Sequence, residues 1–400
     1  MASEQSDGAA PVAKAPLGSG VLRSRLLEAE VVVLGAGPAG AVCALNLAPF
    51  RRVVLVERRA TPPPRIGDSL PPAARRLLTD MGLWEAFLAE KHAPCHANRA
   101  RWGSAEPFET DLLRDSDGQG WHVDRARFEL WLRTIAAERG AQLLAPAGLE
   151  VLGRENGVWR LRLSTAQGDI EARAGLLIDA SGRPATLARR LGGQRRVLDK
   201  LVCAWLRGRD EAGGRAGVTY VEAEPEGWWY SAPLPGGRRV LAFHTDADLP
   251  SAASARRPET LLARARRSPS LAATLAEAAF NPELSPFEPS PFGFTSAQST
   301  ALTPPIGERW LATGDAALAF DPLSAQGLLN AFITGLAAAE AADCHLAGAG
   351  EALSDYAEAL EGIASTYRRR LAFAYSQEQR WREQPFWQRR HAGEAAARRP

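Results

Sequence analysis

Apolar runs that predict buried strands alternate along the chain with segments that predict helices. The run Val31–Leu34 contains three valines followed by a leucine, a pattern typical of a strand buried on both faces of a parallel sheet. The small and apolar residues that follow Pro38 predict a helix, and Arg51–Glu57 predicts the next strand. Further buried strands are predicted near Leu177 and after Arg309. This alternation of strand and helix predicts an α/β fold.

Other segments of the chain differ in their periodicity. Alternating apolar residues between Gly and Pro turns across residues 197–245 predict a mainly antiparallel sheet, and residues 250–280 predict helices. The segment Gly120–Leu144 predicts one amphipathic helix. From Glu351 onward we expect C-terminal helices that run into an Arg- and Glu-rich tail, residues 379–400. Such a tail is typical of a solvated face or a partner-docking surface.

Length and composition restrict the class of protein. The chain has 400 residues, of which 46% are apolar, so it can bury one large core or two adjoining cores. The formal net charge is only +2 and no nucleic-acid-reading motif is evident, which argues against a nucleic-acid partner. Four cysteines without C-x-x-C spacing argue against a disulfide framework and against a metal site. No uncharged apolar run is long enough to predict an export signal or stable membrane insertion, so we expect a cytoplasmic protein.

A glycine-rich turn links the first predicted strand to the first predicted helix. Gly35, Gly37 and Gly40 have the spacing G-x-G-x-x-G. In this motif one glycine allows the tight turn, one lets a pyrophosphate approach the backbone, and one lets the helix pack on the strand. Glu57 ends the next strand, 22 positions after Gly35, where its carboxylate can accept both ribose hydroxyls of an adenosine. These features predict a dinucleotide site at the helix N-terminus.

Two later motifs identify the dinucleotide through a family resemblance. The stretch Leu177–Leu191 reads LIDASGRPATLARRL, and Arg309–Ala339 contains GDAALAFDPLSAQG before a long helix. Together with the glycine-rich turn, these motifs resemble the large FAD-dependent monooxygenase superfamily, which includes aromatic hydroxylases, flavin-dependent halogenases and geranylgeranyl reductases. The resemblance covers about residues 28–340 and implies a Rossmann-like domain with FAD as its cofactor.

The resemblance also implies which residues hold FAD. Asp315 of the Gly-Asp pair would hold the ribityl chain, Arg125 would contact the phosphates, and the helix that begins near Gly327 would point its N-terminus at the flavin pyrimidine edge. A helix N-terminus stabilises an adjacent negative charge, such as that of reduced flavin, by roughly 0.3 to 2 kcal/mol. The complete set of predicted cofactor-binding residues is Gly35, Gly37, Ala39, Gly40, Glu57, Arg58, Arg125, Asp179, Gly314, Asp315, Pro322, Gly327 and Leu328.

The resemblance divides the chain into interleaved regions. We predict a discontinuous FAD-binding domain, a substrate domain built on the antiparallel sheet, and a C-terminal helical region. The FAD-binding domain would comprise residues 28–92, 121–191 and 294–345, the substrate domain residues 93–120 and 192–293, and the helical region residues 346–400. Residues 1–27, which are rich in Ala, Gly, Pro and Ser, are expected to be disordered.

The substrate-side sequence EGWWYSAPLPGG differs from that of halogenases. Flavin-dependent halogenases have a W-x-W-x-I-P motif at the start of this kind of strand. Trp228 and Pro233 match that motif, whereas Tyr230 and Ala232 do not. Halogenases also need a lysine between flavin and substrate to hold hypohalous acid. The matching segment APCHANRARWGS has no lysine, and Lys91 lies several residues earlier, so the sequence disfavours halogenation.

Candidate catalytic and substrate-binding residues come from the same region and from the loop after the Gly-Asp pair. Trp228 and Trp229 either contact substrate or flavin or pack in the core. His244 is either a base that deprotonates an indole or phenol, or a buried structural histidine. Asp321 either accepts a substrate N–H or caps the following helix. Tyr230 is a third catalytic candidate.

The resemblance implies hydroxylation of an aromatic ring. The motifs look like those of flavoprotein monooxygenases that mature tryptophylquinone cofactors, so we predict an FAD-dependent monooxygenase. Its substrate would be an electron-rich, indole-like aromatic that is free, carrier-bound or part of a peptide or protein. NAD(P)H would reduce the flavin from a transient site, since no second convincing G-x-G-x-x-G unit is present. O2 would then add at C4a, and the ring would attack the resulting hydroperoxide.

Three alternatives remain open from the sequence. The first is a halogenase, and the second is a reductase of isoprenoid double bonds, because those reductases share the GDAA motif. The third is a non-catalytic protein-binding module built on an FAD fold. The intact glycine and Gly-Asp motifs argue against the third alternative.

Overall fold

The computed structural model describes residues 26–212, 217–282 and 291–397, with side chains described up to residue 392. Most of the N-terminal segment predicted to be disordered lies outside the described residues, and Leu27 at its end begins the first strand. The strands are β1 (Leu27–Leu34), β2 (Val53–Val56), β3 (Ser69–Leu70), β4 (Ala93–Cys95), β5 (Ala97–Arg101), β6 (Phe108–Asp111), β7 (Gly120–His122), β8 (Gln142–Leu144), β9 (Ala147–Glu155), β10 (Val158–Thr165), β11 (Gly168–Asp179), β12 (Gln194–Val197), β13 (Leu201–Asp210), β14 (Val218–Glu224), β15 (Gly227–Leu234), β16 (Arg238–Asp246), β17 (Phe280–Pro282), β18 (Phe292–Ser296), β19 (Thr300–Thr303), β20 (Ile306–Gly307), β21 (Trp310–Ala312) and β22 (Leu318–Ala319).

The helices include two long ones near the C-terminus of the chain. They are α1 (Pro38–Leu47), α2 (Ala74–Asp80), α3 (Trp84–Ala89), α4 (Arg125–Glu138), α5 (Thr186–Arg190), α6 (Pro250–Ser254), α7 (Pro258–Ala265), α8 (Pro269–Glu277), α9 (Gly327–Leu346), α10 (Ala352–Ser376) and α11 (Pro385–Ala397). Short 3₁₀ turns cover Leu112–Arg114, Gly314–Ala316 and Pro322–Ser324.

A parallel sheet forms the centre of the predicted Rossmann-like region. Strands β21, β11, β1, β2 and β8 lie side by side in this order and run parallel. Val31, Val32 and Val33 in β1 have no exposed surface, as expected for a strand covered on both faces. α1 begins at Pro38, whose missing N–H is not needed in a first helical turn, and it packs against α4 and α9. The predicted α/β class is confirmed.

The helix predicted across Gly120–Leu144 is shorter than the sequence pattern suggested. Only α4 is helical, with its N-terminus capped by the Asp124 side chain, which accepts the Arg127 N–H at 3.1 Å. Gly120–His122 instead forms β7 between β3 and β4, and Gln142–Leu144 forms β8 at the edge of the parallel sheet. The prediction was wrong at both ends because apolar residues that satisfy helical periodicity here pair with distant strands.

A second, mainly antiparallel sheet has the strand order β17, β13, β16, β15, β14, β5 and β6, with β18 also paired to β13. Different helices pack against the two faces of this sheet. The face that carries Trp205 and Trp228, here called the inner face, packs against residues of the C-terminal helices. The opposite, outer face carries Trp229 and Phe243 and packs against apolar residues of α7 and α8. The antiparallel sheet and the helices predicted across residues 250–280 are therefore confirmed.

The start of α11 packs into the inner-face core. Phe386 and Trp387 are fully buried there, and Arg389 and Arg390 form ion pairs with Asp246 at 2.8 and 2.9 Å. The prediction of a solvated or partner-docking tail was wrong for this part of the chain. The Arg/Glu-rich composition concealed two aromatic residues that complete a core and two arginines that neutralise a buried carboxylate.

We expect Trp387→Ala to lower the free energy of unfolding by about 3–5 kcal/mol, as for other large-to-small changes in a core. The Trp387 indole packs on Trp102 with ring centres 5.4 Å apart and donates its N–H to the Glu224 carbonyl at 2.9 Å. Chemical denaturation of the FAD-loaded protein measures the loss. Arg382→Ala is the matched control, because Arg382 is largely exposed and its ion pair with Glu383 is also exposed. Equal stability of the two variants would contradict the assigned packing.

Candidate FAD site and buried inner face

The three motif glycines have different surroundings. Gly35 has φ +103°, and a Cβ at this position would collide with the carbonyl of Ala180. A Cβ at Gly40 would collide with the carbonyl of Gly35, so the helix approaches the turn as closely as backbone allows. A Cβ at Gly37, in contrast, would meet no atom within 4 Å. The turn therefore leaves open space beside Gly37, where the motif would receive a pyrophosphate.

The Glu57 carboxylate is held beside this turn. It accepts the Ala36 N–H at 2.9 Å and the Arg59 N–H at 3.1 Å. The buried guanidinium of Arg133 lies 3.6 Å from the same carboxylate and donates from Nε to the Ala36 carbonyl at 2.8 Å. The sequence analysis missed Arg133. The available signal was the spacing of Arg125, Glu129 and Arg133, which places three charged residues on one side of α4.

Arg125 is the first residue of α4, and its side chain contacts the loop that follows β2. Its Nη1 donates to the Gly67 carbonyl at 2.8 Å, its Nη2 donates to Glu129 at 2.7 Å, and its Nε is buried without a hydrogen-bond partner. Asp179, at the end of β11, is fully buried and accepts the N–H groups of Ser181 and Ala188. Asp179 therefore fixes the turn between β11 and α5. Direct contact of either side chain with FAD stays a prediction.

The Gly-Asp pair lies beside the first turns of α9. Gly314 donates its N–H to the Thr334 hydroxyl at 3.0 Å, and a Cβ at Gly314 would lie only 2.6 Å from that of Ala39. The Asp315 side chain is 37% exposed, and one of its carboxylate oxygens lies 3.4 Å from Nε of Arg183. Close packing thus places Asp315 at the surface of the glycine-rich turn with its carboxylate available to a ligand.

The N-terminus of α9 has no side-chain cap. Gln326 precedes the helix without capping it, and a Cβ at Gly327 would meet no atom within 4 Å. Leu328 is buried behind this end, and Pro322 is exposed at the start of the preceding 3₁₀ turn. The first N–H groups of this 20-residue helix therefore face open space and can receive a negatively charged group.

These features fit FAD. Open space lies beside Gly37 and beside Gly327, and carboxylates that can bind hydroxyl groups are fixed at Glu57 and Asp315. Arg58 is exposed next to Glu57. Of the predicted cofactor-binding residues, Gly35, Ala39, Gly40 and Gly314 shape the turn by close packing. Contact of the other residues of the set with FAD stays a prediction.

His244 and Trp228 pair on adjacent strands of the inner face. Their rings stack with centres 3.7 Å apart and planes 7° apart, and both residues are almost fully buried. Burial lowers the pKa of His244 to about 3, against a smaller opposing contribution from the Trp228 backbone. A histidine with so low a pKa is a weak proton acceptor at neutral pH. The environment therefore favours the structural alternative for His244.

Asp321 is the acid at the end of a buried hydrogen-bond chain. The Trp228 indole N–H donates to the Tyr375 hydroxyl at 3.2 Å, and that hydroxyl donates to Asp321 Oδ2 at 2.7 Å. Oδ1 of Asp321 accepts the Leu323 N–H at 2.9 Å, so the carboxylate also caps the 3₁₀ turn. Burial raises the pKa of Asp321 to about 6, although Arg390 opposes the rise. A carboxyl group with this pKa can exchange a proton near neutral pH.

Tyr375 was not predicted from the sequence. It lies in the last turn of α10, among residues whose pattern shows only helical periodicity, and the guanidinium of Arg390 lies 5.0 Å from its ring centre. Burial is the main cause that raises the pKa of Tyr375 well above its usual value of 10, so the hydroxyl keeps its proton. Only the fold brings Tyr375 to Asp321.

Tyr230 and Trp229 occupy opposite faces of β15. The Tyr230 hydroxyl is buried on the inner side without a hydrogen-bond partner, and burial raises its pKa well above 10. Trp229 is fully buried in the outer-face core, where its ring centre lies 4.7 Å from that of Phe243. Its indole N–H donates to Glu224 at 2.8 Å. These contacts give Trp229 a packing role, whereas Trp228 and Tyr230 remain on the side of Asp321.

A glycine-rich cradle on a parallel sheet, joined to a second sheet with a buried aromatic face, defines a flavoprotein oxidoreductase. The chain belongs to the FAD binding domain family, which matches residues 28–358. FAD is therefore its cofactor, and the predicted superfamily is confirmed.

The relatives of the chain include both halogenases and a hydroxylase. LodB of Marinomonas mediterranea, described as an FAD-dependent oxidoreductase, is 29% identical over 374 residues that cover 91% of this chain and 97% of LodB. The myxobacterial chondrochloren halogenase CndH has a TM-score of 0.80 and 23% identity, covering 93% of this chain and 89% of that one. QhpG, a peptidyl tryptophan dihydroxylase essential for tryptophylquinone cofactor biogenesis, has a TM-score of 0.70 and 26% identity, covering 91% of this chain and 78% of QhpG.

Within residues 26–212, 217–282 and 291–397, no helix is both long and apolar enough to cross a membrane. In the same ranges, no three His, Cys, Asp or Glu side chains lie close enough together to hold a metal ion.

Proposed function

We propose that the protein is an FAD-dependent monooxygenase that hydroxylates an electron-rich, indole-like aromatic ring, free or within a peptide, with NAD(P)H and O2. The observation that carries the proposal is the buried acid Asp321 beside an inner face lined by Trp228 and Tyr230. Aromatic side chains suit an aromatic substrate, and the acid suits proton removal from the ring. The likeness to QhpG supports a tryptophan-like substrate.

FAD supplies the activation of O2 after its reduction by NAD(P)H. The residues of this chain would hold the cofactor and keep water from the inner face. The glycine-rich turn and Asp315 would hold one part of FAD, and the uncapped N-terminus of α9 would stabilise negative charge on another. The start of α11 covers the inner face with Phe386 and Trp387, which excludes solvent from the buried acid.

Asp321 accepts the proton that the ring loses on hydroxylation, through Tyr375. As the ring proton passes to the Tyr375 oxygen, the Tyr375 proton passes along its 2.7 Å hydrogen bond to Asp321. The tyrosine is thereby restored and the carboxylate gains one proton. Trp228 is a positioning residue, because its N–H fixes the orientation of the Tyr375 hydroxyl.

Halogenation is the second candidate function, and the likeness to CndH favours it. A lysine that could hold hypohalous acid would have to lie beside the flavin or the inner face. In the described part of the chain the lysines are Lys91 and Lys200, and both are exposed. This placement supports the hydroxylase over the halogenase.

The pH dependence of the reaction should follow Asp321. Because its raised pKa is about 6, the group is protonated below that pH and cannot accept a proton. We expect kcat/KM to fall as the pH decreases through about 6 and to level off above it. Steady-state rates at fixed ionic strength between about pH 5 and 8 measure this profile. A rate that is unchanged across this range would contradict the role of Asp321.

The proposed function is tested by NAD(P)H oxidation and oxygen uptake of the FAD-loaded protein. We expect stimulation by free tryptophan, simple phenols or tryptophan-containing peptides, and no effect of chloride or bromide on the product. A halogenated product would replace the proposal with the second candidate. Absence of stimulation by any aromatic, with reduction of an isoprenoid double bond instead, would establish a reductase.

A further inference from the structure

We propose that a basic cavity between α5 and β12 binds a phosphate ester. The cavity holds about 600 Å³, which is within the range of small-molecule sites, and it is open to solvent. Its lining is formed by Thr186, Arg189, Arg190, Gly193, Gln194 and Arg195. None of these residues belongs to the inner face or to the predicted cofactor-binding set, so this is a separate site.

The arginines of this cavity lack carboxylate partners. In the described part of the chain, Arg189, Arg190 and Arg195 form no ion pair and no side-chain hydrogen bond. Arg189 and Arg190 are exposed at the cavity mouth, whereas Arg195 is half-buried. Other buried or half-buried arginines, such as Arg133 and Arg264, lie against glutamates. Three guanidinium groups around one cavity, with no acid to neutralise them, favour an anionic ligand.

Arg195 is the cavity arginine whose positive charge is most clearly destabilised by its surroundings. Its Nε is buried without a hydrogen-bond partner, and burial together with the charges of Arg183 and Arg189 lowers its pKa. Since a guanidinium group keeps its proton at any ordinary pH, this repulsion persists in the free protein. A bound dianion would offset the repulsion and accept the Nε–H.

The donor set points to phosphate in particular. Guanidinium forks match phosphate oxygens in a bidentate geometry, and three of them converge here with the Gln194 side chain beside them. The Thr186 hydroxyl already donates to Ser181 at 2.8 Å, so the arginines supply the principal contacts. The volume leaves room for the organic group that carries the phosphate.

Arg183 is charged and lies near both the cavity and the Gly-Asp pair. This residue lies 3.4 Å from Asp315 on one side and repels Arg195 on the other. Two phosphate esters could therefore be used by an enzyme of the proposed function: the 2′-phosphate of NADPH, or the phosphopantetheine arm of a carrier-bound substrate. The shared chemistry is the phosphate ester, and the choice between the sources rests on the proposed function.

The test is isothermal titration of the FAD-loaded protein with 2′-AMP, 4′-phosphopantetheine and inorganic phosphate. We expect one ester to bind more tightly than inorganic phosphate. Arg189→Gln and Arg195→Gln should each weaken that binding by about tenfold or more, as loss of a charge-assisted contact does. Preference for 2′-AMP would assign the site to the reductant, and preference for 4′-phosphopantetheine would assign it to a carrier-bound substrate.

Arg196→Gln is the matched control, because Arg196 is an exposed arginine on the same strand that does not line the cavity. It removes the same charge and should change the affinity by less than about twofold, because Arg196 lies outside the cavity lining and would make no direct contact with the bound ester. Equal weakening by Arg195→Gln and Arg196→Gln, or equal affinity for all three anions, would overturn the proposal. Because the titration needs no turnover, its failure is distinguishable from failure of the proposed reaction.

Discussion

We expect Gly37→Val to yield a folded protein that no longer carries FAD. A Cβ at this position would meet no protein atom within 4 Å, so the fold tolerates the side chain. The added methyl groups fill the open space where the pyrophosphate must approach the backbone. Asp315→Ala should have a similar result, because it removes a carboxylate that is 37% exposed beside Arg183 and that would bind the ribityl hydroxyls.

Flavin absorbance per protein and the far-ultraviolet circular dichroism of each variant measure this result. Gly148→Val is the control, because Gly148 is an exposed strand residue in β9, remote in sequence from the glycine-rich turn, and a Cβ there meets only Ser164, at 3.9 Å. We expect this control to stay yellow. If both Gly37→Val and Asp315→Ala kept a full complement of FAD, the assignment of the cradle would be wrong.

Asp321→Asn should lower kcat by about 10²- to 10⁴-fold, the usual contribution of a positioned acid or base. The amide has nearly the same shape, and its one oxygen can still accept the Leu323 N–H, but the NH2 group that replaces the oxygen facing Tyr375 can accept neither a hydrogen bond nor a proton. FAD content should remain close to that of the parent protein. The fall in kcat/KM near pH 6 should disappear together with the activity.

Two variants separate this role from a general effect of charge. Asp343→Asn changes a half-exposed acid paired with Arg51 and should leave kcat unchanged. Tyr375→Phe should lower kcat while keeping the ring in its core, because it removes only the hydroxyl that links Trp228 to Asp321. An active Asp321→Asn variant with an unchanged pH profile would exclude the proposed proton acceptor.

The elements that the sequence predicted well are those determined by local chemistry. The valine run of β1, the glycine-rich turn and the proline at the first position of α1 each restrict the backbone within a few residues. The start of α9 at Gly327 was also predicted, because the Gly-Asp loop before it has a recognisable pattern. The cradle could thus be inferred before any tertiary contact was known.

The contacts that the sequence did not reveal join residues far apart in the chain. Tyr375 meets Asp321 across 54 positions, and Arg133 meets the glycine-rich turn across 97 positions. No spacing rule links such pairs, since the fold alone brings them together. The prediction of a solvated tail was wrong for a related reason. The average composition of this segment is polar, whereas the few residues that pack in the core, such as Trp387, are aromatic.

The alternation of side chains along a strand could have predicted different roles for Trp228 and Trp229. Adjacent residues of a strand point to opposite faces, so these two indoles could not both face the substrate. The structure places Trp228 on the inner face and Trp229 on the outer face. For His244, only burial decides between the two roles left open, because it lowers the pKa to about 3.

The most direct test of the proposed monooxygenase is product mass after turnover under ¹⁸O2 in the presence of bromide, with tryptophan and tryptophan-containing peptides as substrates. We predict a product that carries one or two ¹⁸O atoms on the aromatic ring and no bromine. A brominated product, or an oxygenated product whose oxygen comes from water, would contradict the account.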